Sequence, residues 1–308
     1  MSTPACRACG SARTRTRGEK TGAHLRRVFT FHDCADCGLL FVEPFSGFGV
    51  YDDAYYRGEG PDPYVDYETE YRDWRSSDRR HELEDLVGIA AGLLRRENAP
   101  GRAGEPLRWL DFGCGAGALL KCLRDTGRVA GRSLELTGHD VGSWADRLRS
   151  EDRLKILSLA ELASLPGGSF DVISMIEVIE HLPFPQEPVA LAARLLRPGG
   201  LLLLTTGNLG SPAARRAGLA HHYCAPEIHV SLFNPDSLSR VYTRSGLRPV
   251  KVRYRGAIRF KVLKTLRHRP LLRFVASIAL RLPPVIAAVD LLYGVSAMPC
   301  AVKPRPPA

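Results

Sequence analysis

A chain of 308 residues with 44% hydrophobic residues can bury one large core plus a small appendage, which excludes wholesale disorder. The net charge of +10 is not spread evenly: Ser237–Val289 holds thirteen Lys or Arg and no Asp or Glu, while the rest is slightly acidic. Such a one-signed block suits an anionic partner (nucleic acid, an anionic membrane surface or a phosphorylated substrate) or a solvated helix face.

The N-terminus, "MSTPACRACG", has no apolar core of a secretory signal, and no eighteen uninterrupted apolar residues occur anywhere. The expectation is a cytoplasmic protein without a transmembrane span, in which thiols stay reduced. Two C-x-x-C pairs, Cys6/Cys9 and Cys34/Cys37, are each followed by glycine. Thiolates at that spacing can face one tetrahedral Zn²⁺, so residues 1–45 are expected to be a zinc ribbon folded by its metal. Cys114, Cys122, Cys224 and Cys300 stand alone and are expected to be small buried residues. Residues 46–105 form the next unit: a tyrosine-rich linker, then an amphipathic helix over 77–97. Leu83, Leu86, Val87, Ala90, Leu93 and Leu94 recur there at helical spacing. The segment "NAPGRAGEP" closes it.

From residue 106 to 308 the pattern is strand, glycine loop, helix, strand. "LRWLDF", "LELTGHD", "LKIL", "FDVISM" and "LLLLTT" read as five apolar strands, and "RPVKVRY" and "AMPCAVKP" as two more. Apolar strands alternating with helices predict an α/β fold with a parallel sheet covered on both faces. Asp111, Gly113, Gly115 and Gly117 lie at the first strand-to-helix turn, and Asp140 ends the second strand. The glycines permit a sharp turn and close approach of a ligand, and a carboxylate at the second strand can accept from both ribose hydroxyls. The spacing is G-x-G-x-G, which disfavours a dinucleotide. "SFDVISMIEVIEHLPFP" places Glu177, Glu180 and His181 among apolar residues. At i, i+3 and i+4 they would share one face of a helical turn.

These motifs resemble the class I S-adenosylmethionine-dependent methyltransferases over about 107–302, through "LDFGCGAG", "GHDV", "GGSFDVISMIEVIEHL" and "LLRPGGLLLLTTGN". The resemblance implies a seven-stranded Rossmann-like sheet, with 258–296 a basic helical insertion before the last strand. It implies that Asp111, Gly113, Gly115 and Gly117 hold the methionine part of the cofactor and Asp140 its ribose. The acid that often follows the third strand is missing; Ser158 and Leu159 stand there, so the main chain of Leu159 and Ala160, or Glu161, would serve the adenine instead. In the insertion Leu271, Val275, Ile278 and Leu282 form one apolar stripe, which most simply packs on the domain and otherwise lies on an anionic membrane surface or closes over a substrate.

Three roles are open for Glu177, Glu180 and His181: a structural pair, a general base at His181, or a divalent metal site. "IEVIEHL" is similar to the E-x-x-E-H segment of small-RNA 3′-terminal 2′-O-methyltransferases and of ubiquinone-pathway O-methyltransferases. That resemblance implies Glu177, Glu180, His181 and His229 as ligands of Mg²⁺ or Mn²⁺, His181, Glu177 and His229 being the catalytic candidates. His229 precedes a helix predicted to start with Asn234 as cap and Pro235 at its first position. An N-terminal four-cysteine module resembles that of some sugar methyltransferases. The expected function is therefore methyl transfer from S-adenosylmethionine to a small-molecule acceptor, O-directed, in a bacterial saccharide or secondary-metabolite pathway. The alternatives are RNA 2′-O-methylation, and a non-catalytic recruitment protein built on a cofactor site.

Overall fold

Alternating small and aromatic residues in "VFTFHDC" make the N-terminal segment a strand rather than a helix. In the computed structural model, which describes residues 3–61, 67–97, 105–266, 268–295 and 298–305, this segment is the centre of a meander. Its strands are β1 (Thr14–Thr21), β2 (Val28–Cys34) and β3 (Leu40–Glu43), paired antiparallel. Phe29 and Phe31 are fully buried on one side of it. The tyrosine-rich stretch follows with two short helices, α1 (Asp53–Tyr56) and α2 (Tyr67–Arg72). Then comes α3 (Arg80–Arg96), which buries Leu83, Leu86, Ala90, Leu93 and Leu94, the face its periodicity predicts.

The rest alternates strand and helix: β4 (Leu107–Phe112), α4 (Ala118–Thr126), β5 (Arg128–Val129), β6 (Arg132–His139), α5 (Trp144–Ser150), β7 (Lys155–Ile156), α6 (Leu159–Ser164) and β8 (Phe170–Ile176). After a single 3₁₀ turn at Ile179–His181 come α7 (Gln186–Leu195), β9 (Leu196–Thr205), α8 (Pro212–Ala217), β10 (Ser231–Leu232), α9 (Pro235–Arg244) and β11 (Arg248–Val250). The chain ends in α10 (Arg255–Thr265), α11 (Pro270–Ala279), α12 (Pro283–Tyr293) and β12 (Cys300–Val302). Seven strands form one mixed sheet in the order β7-β6-β4-β8-β9-β12-β11, with β5 a short extra strand on β6. Only β12 runs against β9 and β11; β7, β6, β4, β8 and β9 are parallel. β8 buries all seven of its residues, as a central parallel strand covered on both faces must.

One core, around Trp109, Val172, Leu201 and Leu203, packs under α3, α4 and α10. The other, around Leu110, Ile173 and Leu202, packs under α7 and α9 and takes in Cys6, Cys34 and Cys37. The four lone cysteines are buried, as expected.

Three expectations change. The N-terminal sheet has a fourth strand, β10, contributed by the main domain at Phe41–Ser231 and Leu40–Leu232. The helical face predicted for Glu177, Glu180 and His181 does not form: Glu177 lies outside the 3₁₀ turn with φ of +55°, and only Glu180 and His181 are in it. The stripe of Leu271, Val275, Ile278 and Leu282 does not pack on the domain. All four side chains are exposed, and α11 buries no residue at all.

Candidate functional site

The glycine loop sits at the carboxyl end of β4, where its backbone must reverse toward α4. Gly113, Gly115 and Gly117 all take positive φ. Space compels the choice as well: a Cβ on Gly113 would lie 2.5 Å from Val178, and one on Gly115 would lie 2.7 Å from the Tyr67 ring. The loop therefore touches the β8 turn on one side and the tyrosine segment on the other.

Asp140, just past β6, braces this loop. One carboxylate oxygen accepts from Gly115 N at 2.8 Å, the other from Gly142 N at 2.8 Å and from the Tyr56 hydroxyl at 3.5 Å. His139 O accepts from Gly113 N and Cys114 N, and the His139 ring meets Leu157 O at 2.9 Å through Nδ1. Asp111 is buried and accepts from the Ser174 hydroxyl at 2.6 Å. Burial pushes its pKa up to about 7 against the pull of that bond and of Arg79. Leu159 and Ala160 open α6, whose Ser158 cap accepts from Glu161 N. The Glu161 carboxylate accepts in return from Ser158 N and Oγ, at 2.7 Å each, so this carboxylate is spent on the cap.

The tyrosine segment roofs the loop. Tyr56 stacks edge-on with Tyr67 at 5.1 Å and with Tyr55 at 5.4 Å, and Tyr55 with Tyr51 at 4.9 Å. Below it, Arg79 pairs with Glu82 at 3.2 Å and with Glu70 at 3.6 Å, and both carboxylates are buried.

The turn after β8 carries a second group of polar side chains. Glu180, His181 and His229 each present one ligand atom within 4.8 Å of the others. Glu177 is outside that trio but shares a donor with it: the Tyr223 hydroxyl reaches Glu177 at 2.9 Å and also contacts Glu180. The other Glu180 oxygen accepts from Thr206 Oγ1 at 2.9 Å. The two carboxylates are driven apart. Burial raises Glu180 well above the usual range, and the charge of Glu177 adds to it. Burial works the same way on Glu177, but Lys261, the Tyr223 bond and Arg79 outweigh it and hold Glu177 low.

Both imidazoles are oriented by main-chain acceptors. His181 Nδ1 is 3.0 Å from Ile228 O and 2.7 Å from the Tyr51 hydroxyl; His229 Nδ1 is 2.8 Å from Tyr223 O. A carbonyl only accepts, so each Nδ1 carries the proton and each Nε2 the lone pair. His229 is buried, which lowers its pKa to about 3 and keeps it neutral. His221 and His222 stack on each other at 4.4 Å, outside the trio.

In the N-terminal module, the four Sγ atoms of Cys6, Cys9, Cys34 and Cys37 all lie within 4.8 Å of one another. Cys6 and Cys37 are 3.5 Å apart, Cys9 and Cys34 3.6 Å. Four sulfurs about 2.3 Å from one centre would be spaced by nearly that distance.

Reading the sequence missed Tyr223, Thr206, Arg79 and Lys261. Tyr223 lies in "HHYCAPEIHV", where histidines drew attention and the tyrosine between them did not. Arg79 and Lys261 come from distant helices, and no local spacing joins them to Glu177.

A family described as "Methyltransferase domain" matches residues 65–252. The chain is similar to a protein named ubiquinone biosynthesis O-methyltransferase in Nitrosococcus oceani, 34% identical over 146 residues, covering 45% of this chain and 58% of that one. A protein of the same name from Aromatoleum aromaticum is 30% identical over 194 residues, covering 58% and 79%. The first of these alignments thus spans less than two thirds of the relative. Among solved structures, a putative sarcosine dimethylglycine methyltransferase from Galdieria sulphuraria is 15% identical, covering 77% of this chain and 98% of that one at a TM-score of 0.48.

Proposed function

Since the chain belongs to the class I S-adenosylmethionine-dependent methyltransferases, we propose that it methylates a hydroxyl of a small-molecule acceptor held between the glycine loop and the Glu180–His181–His229 trio. The observation that carries this is the trio itself, placed one turn beyond β8 and in contact with the loop through Val178. The residues fit the cofactor. A loop with glycine at 113, 115 and 117, a buried acid at Asp111 and an acid at Asp140 supply backbone and carboxylate partners for the amino-acid and ribose parts, and the first turn of α6 at Leu159 and Ala160 supplies main-chain groups for the base. When bound, S-adenosylmethionine supplies a methyl group already activated on sulfonium.

The chain must position the acceptor, remove its proton and keep water out. His181 takes the proton. Ile228 O fixes its tautomer, so Nε2 can accept from an acceptor hydroxyl. His229 holds the other side of the site as a neutral imidazole. The tyrosine roof of Tyr51, Tyr56 and Tyr67 encloses the loop. The relatives' ubiquinone names support an O-directed reaction on a small molecule and give a saccharide or secondary-metabolite pathway no support.

A divalent metal is the second reading, because one ring nitrogen of each of His181 and His229 and a Glu180 oxygen lie within 4.8 Å of one another. With it goes RNA 2′-O-methylation as the competing substrate class. For the N-terminal module, residues 1–45, we assign Cys6, Cys9, Cys34 and Cys37 to structural Zn²⁺, on the sulfur spacing.

The test is transfer of radiolabelled methyl from S-adenosylmethionine into cell extract, counted in small-molecule, lipid, protein and RNA fractions, with and without EDTA. Label in small molecules supports the proposal and label in RNA replaces it. Transfer that EDTA abolishes and Mg²⁺ or Mn²⁺ restores, with the cysteine-bound zinc retained, makes the trio a metal site; EDTA-insensitive transfer leaves His181 as the base.

A further inference from the structure

Two independent observations meet in the helical insertion. The first is exposed apolar surface. Leu271 is 74% exposed, Phe274 63% and Leu291 78%, and Val275, Ile278 and Leu282 are half exposed or more. A folded chain rarely leaves so many large apolar side chains side by side in water. Their helices, α11 and α12, are bent by 111° across a break of a few residues. α11 has ten residues, about 15 Å of helix, against about 30 Å of bilayer hydrocarbon. No helix among the described residues is long and apolar enough to cross a membrane. The pair has the dimensions to lie within one leaflet surface.

The second is a cavity of about 630 Å³ at the base of α11, between it, α10 and the start of α3. Its lining includes Arg80, His81, Arg259, Arg273 and Arg281, with one carboxylate, Asp78. Asp78 is already paired with Arg273 at 2.5 Å, and Arg259 Nε donates to Leu280 O at 3.1 Å. Arg80 and Arg281 are exposed, and the stretch from Ser237 to Val289 that holds Arg259, Arg273 and Arg281 contains no acid. Guanidinium groups in a recess match a phosphate, with its several acceptor oxygens, better than any other common anion. Phe274 and Leu280 also line the recess, so it opens directly onto the exposed apolar helix.

We propose that α11 and α12 dock the protein on an anionic phospholipid surface, the apolar side chains entering the acyl boundary while the arginine recess takes a lipid phosphate. The two halves of the feature need each other. Apolar insertion alone would bind any bilayer, and the arginines alone any polyanion; together they select negatively charged bilayers.

The experiment is co-sedimentation of the full chain with vesicles of phosphatidylcholine alone or mixed with phosphatidylglycerol, whose headgroup gives the surface a negative potential. The expected result is at least tenfold stronger partition to the anionic vesicles, falling as salt is raised. Leu271→Glu with Ile278→Glu should remove it on both kinds of vesicle. Arg80→Ser with Arg281→Ser should leave a weak partition that no longer distinguishes the two. Thermal unfolding and S-adenosylmethionine binding should be unchanged in both variants, since none of the four residues lies near the glycine loop. Equal partition to both vesicles by the native chain overturns the proposal. So does binding of an RNA oligonucleotide with no partition to vesicles, or a dimer in light scattering that Leu271→Glu dissociates, since the apolar face would then belong to RNA or to a second copy.

Discussion

The molecule gathers metal-ligating side chains twice, and the two gatherings differ in what else the ligands do. The four sulfurs at the N-terminus have one another and little more: Cys6 faces Cys37, and Cys9 faces Cys34. Glu180, by contrast, has both oxygens occupied, by Tyr223 and Thr206, and each histidine has its Nδ1 on a carbonyl. Convergence of ligand atoms is the same in both. The difference is that the second group is satisfied without an ion and can therefore serve as an acid–base site, whereas the first has four thiols that satisfy chiefly one another.

The widest gap between the two should appear on losing the cysteines. Cys6→Ser with Cys37→Ser, or stripping zinc with a strong chelator, should unfold the β1–β3 meander outright, since structural zinc contributes about 10 kcal/mol. Metal content by mass spectrometry together with near-ultraviolet dichroism checks this; a variant that melts with the native chain would remove the distinction. Acid comes next. His229 binds its proton near pH 3 when folded but near 6.5 when unfolded, so in between the unfolded state holds more protons. Stability should fall as pH drops from 6.5 toward 3, by up to about 1.4 kcal/mol per unit, and His229→Gln should flatten that limb in acid titrations of unfolding. Tyr223→Phe takes from Glu177 and Glu180 the donor they share, and should cost about 2 kcal/mol in urea unfolding. Recovery of that loss with added Mn²⁺ would move the second group toward the first. The smallest effect on stability is expected of Glu180→Gln, below about 1 kcal/mol, because burial already opposes the charge that this substitution removes. A loss of turnover of a hundredfold or more in the same variant would show that it matters for the reaction, and unchanged turnover would return it to the framework.

Much of the fold was legible because its signals are local. "LDFGCGAG" between an apolar run and a helical one, and "NPDS" before α9, fix their own backbone; Asn234 accepts from Asp236 N and Ser237 N as its position predicts. The site was only half legible. Glu180 and His181 could be named from residue type and spacing and His229 from the family resemblance, but Tyr223, Thr206, Arg79 and Lys261 reach the same place from separate elements, and periodicity carries no information on such contacts. The stripe in α11 shows the opposite failure. Its spacing identified an amphipathic helix correctly, but a periodic pattern says which side is apolar and not what that side meets.

The pairing of β3 with β10 has a consequence for how the protein is made and handled. Val42 N donates to Val230 O at 3.0 Å, and Val230 N donates to Glu180 O at 2.8 Å, so three backbone segments are laced in series from the cysteine module to the turn that carries His181. His229 is the residue just before that lacing. With zinc on the four cysteines as proposed, protein produced in zinc-poor medium would lose the support that these two hydrogen bonds give the His181 turn. It would still bind S-adenosylmethionine at the glycine loop, and a preparation judged sound by cofactor binding alone would be inert.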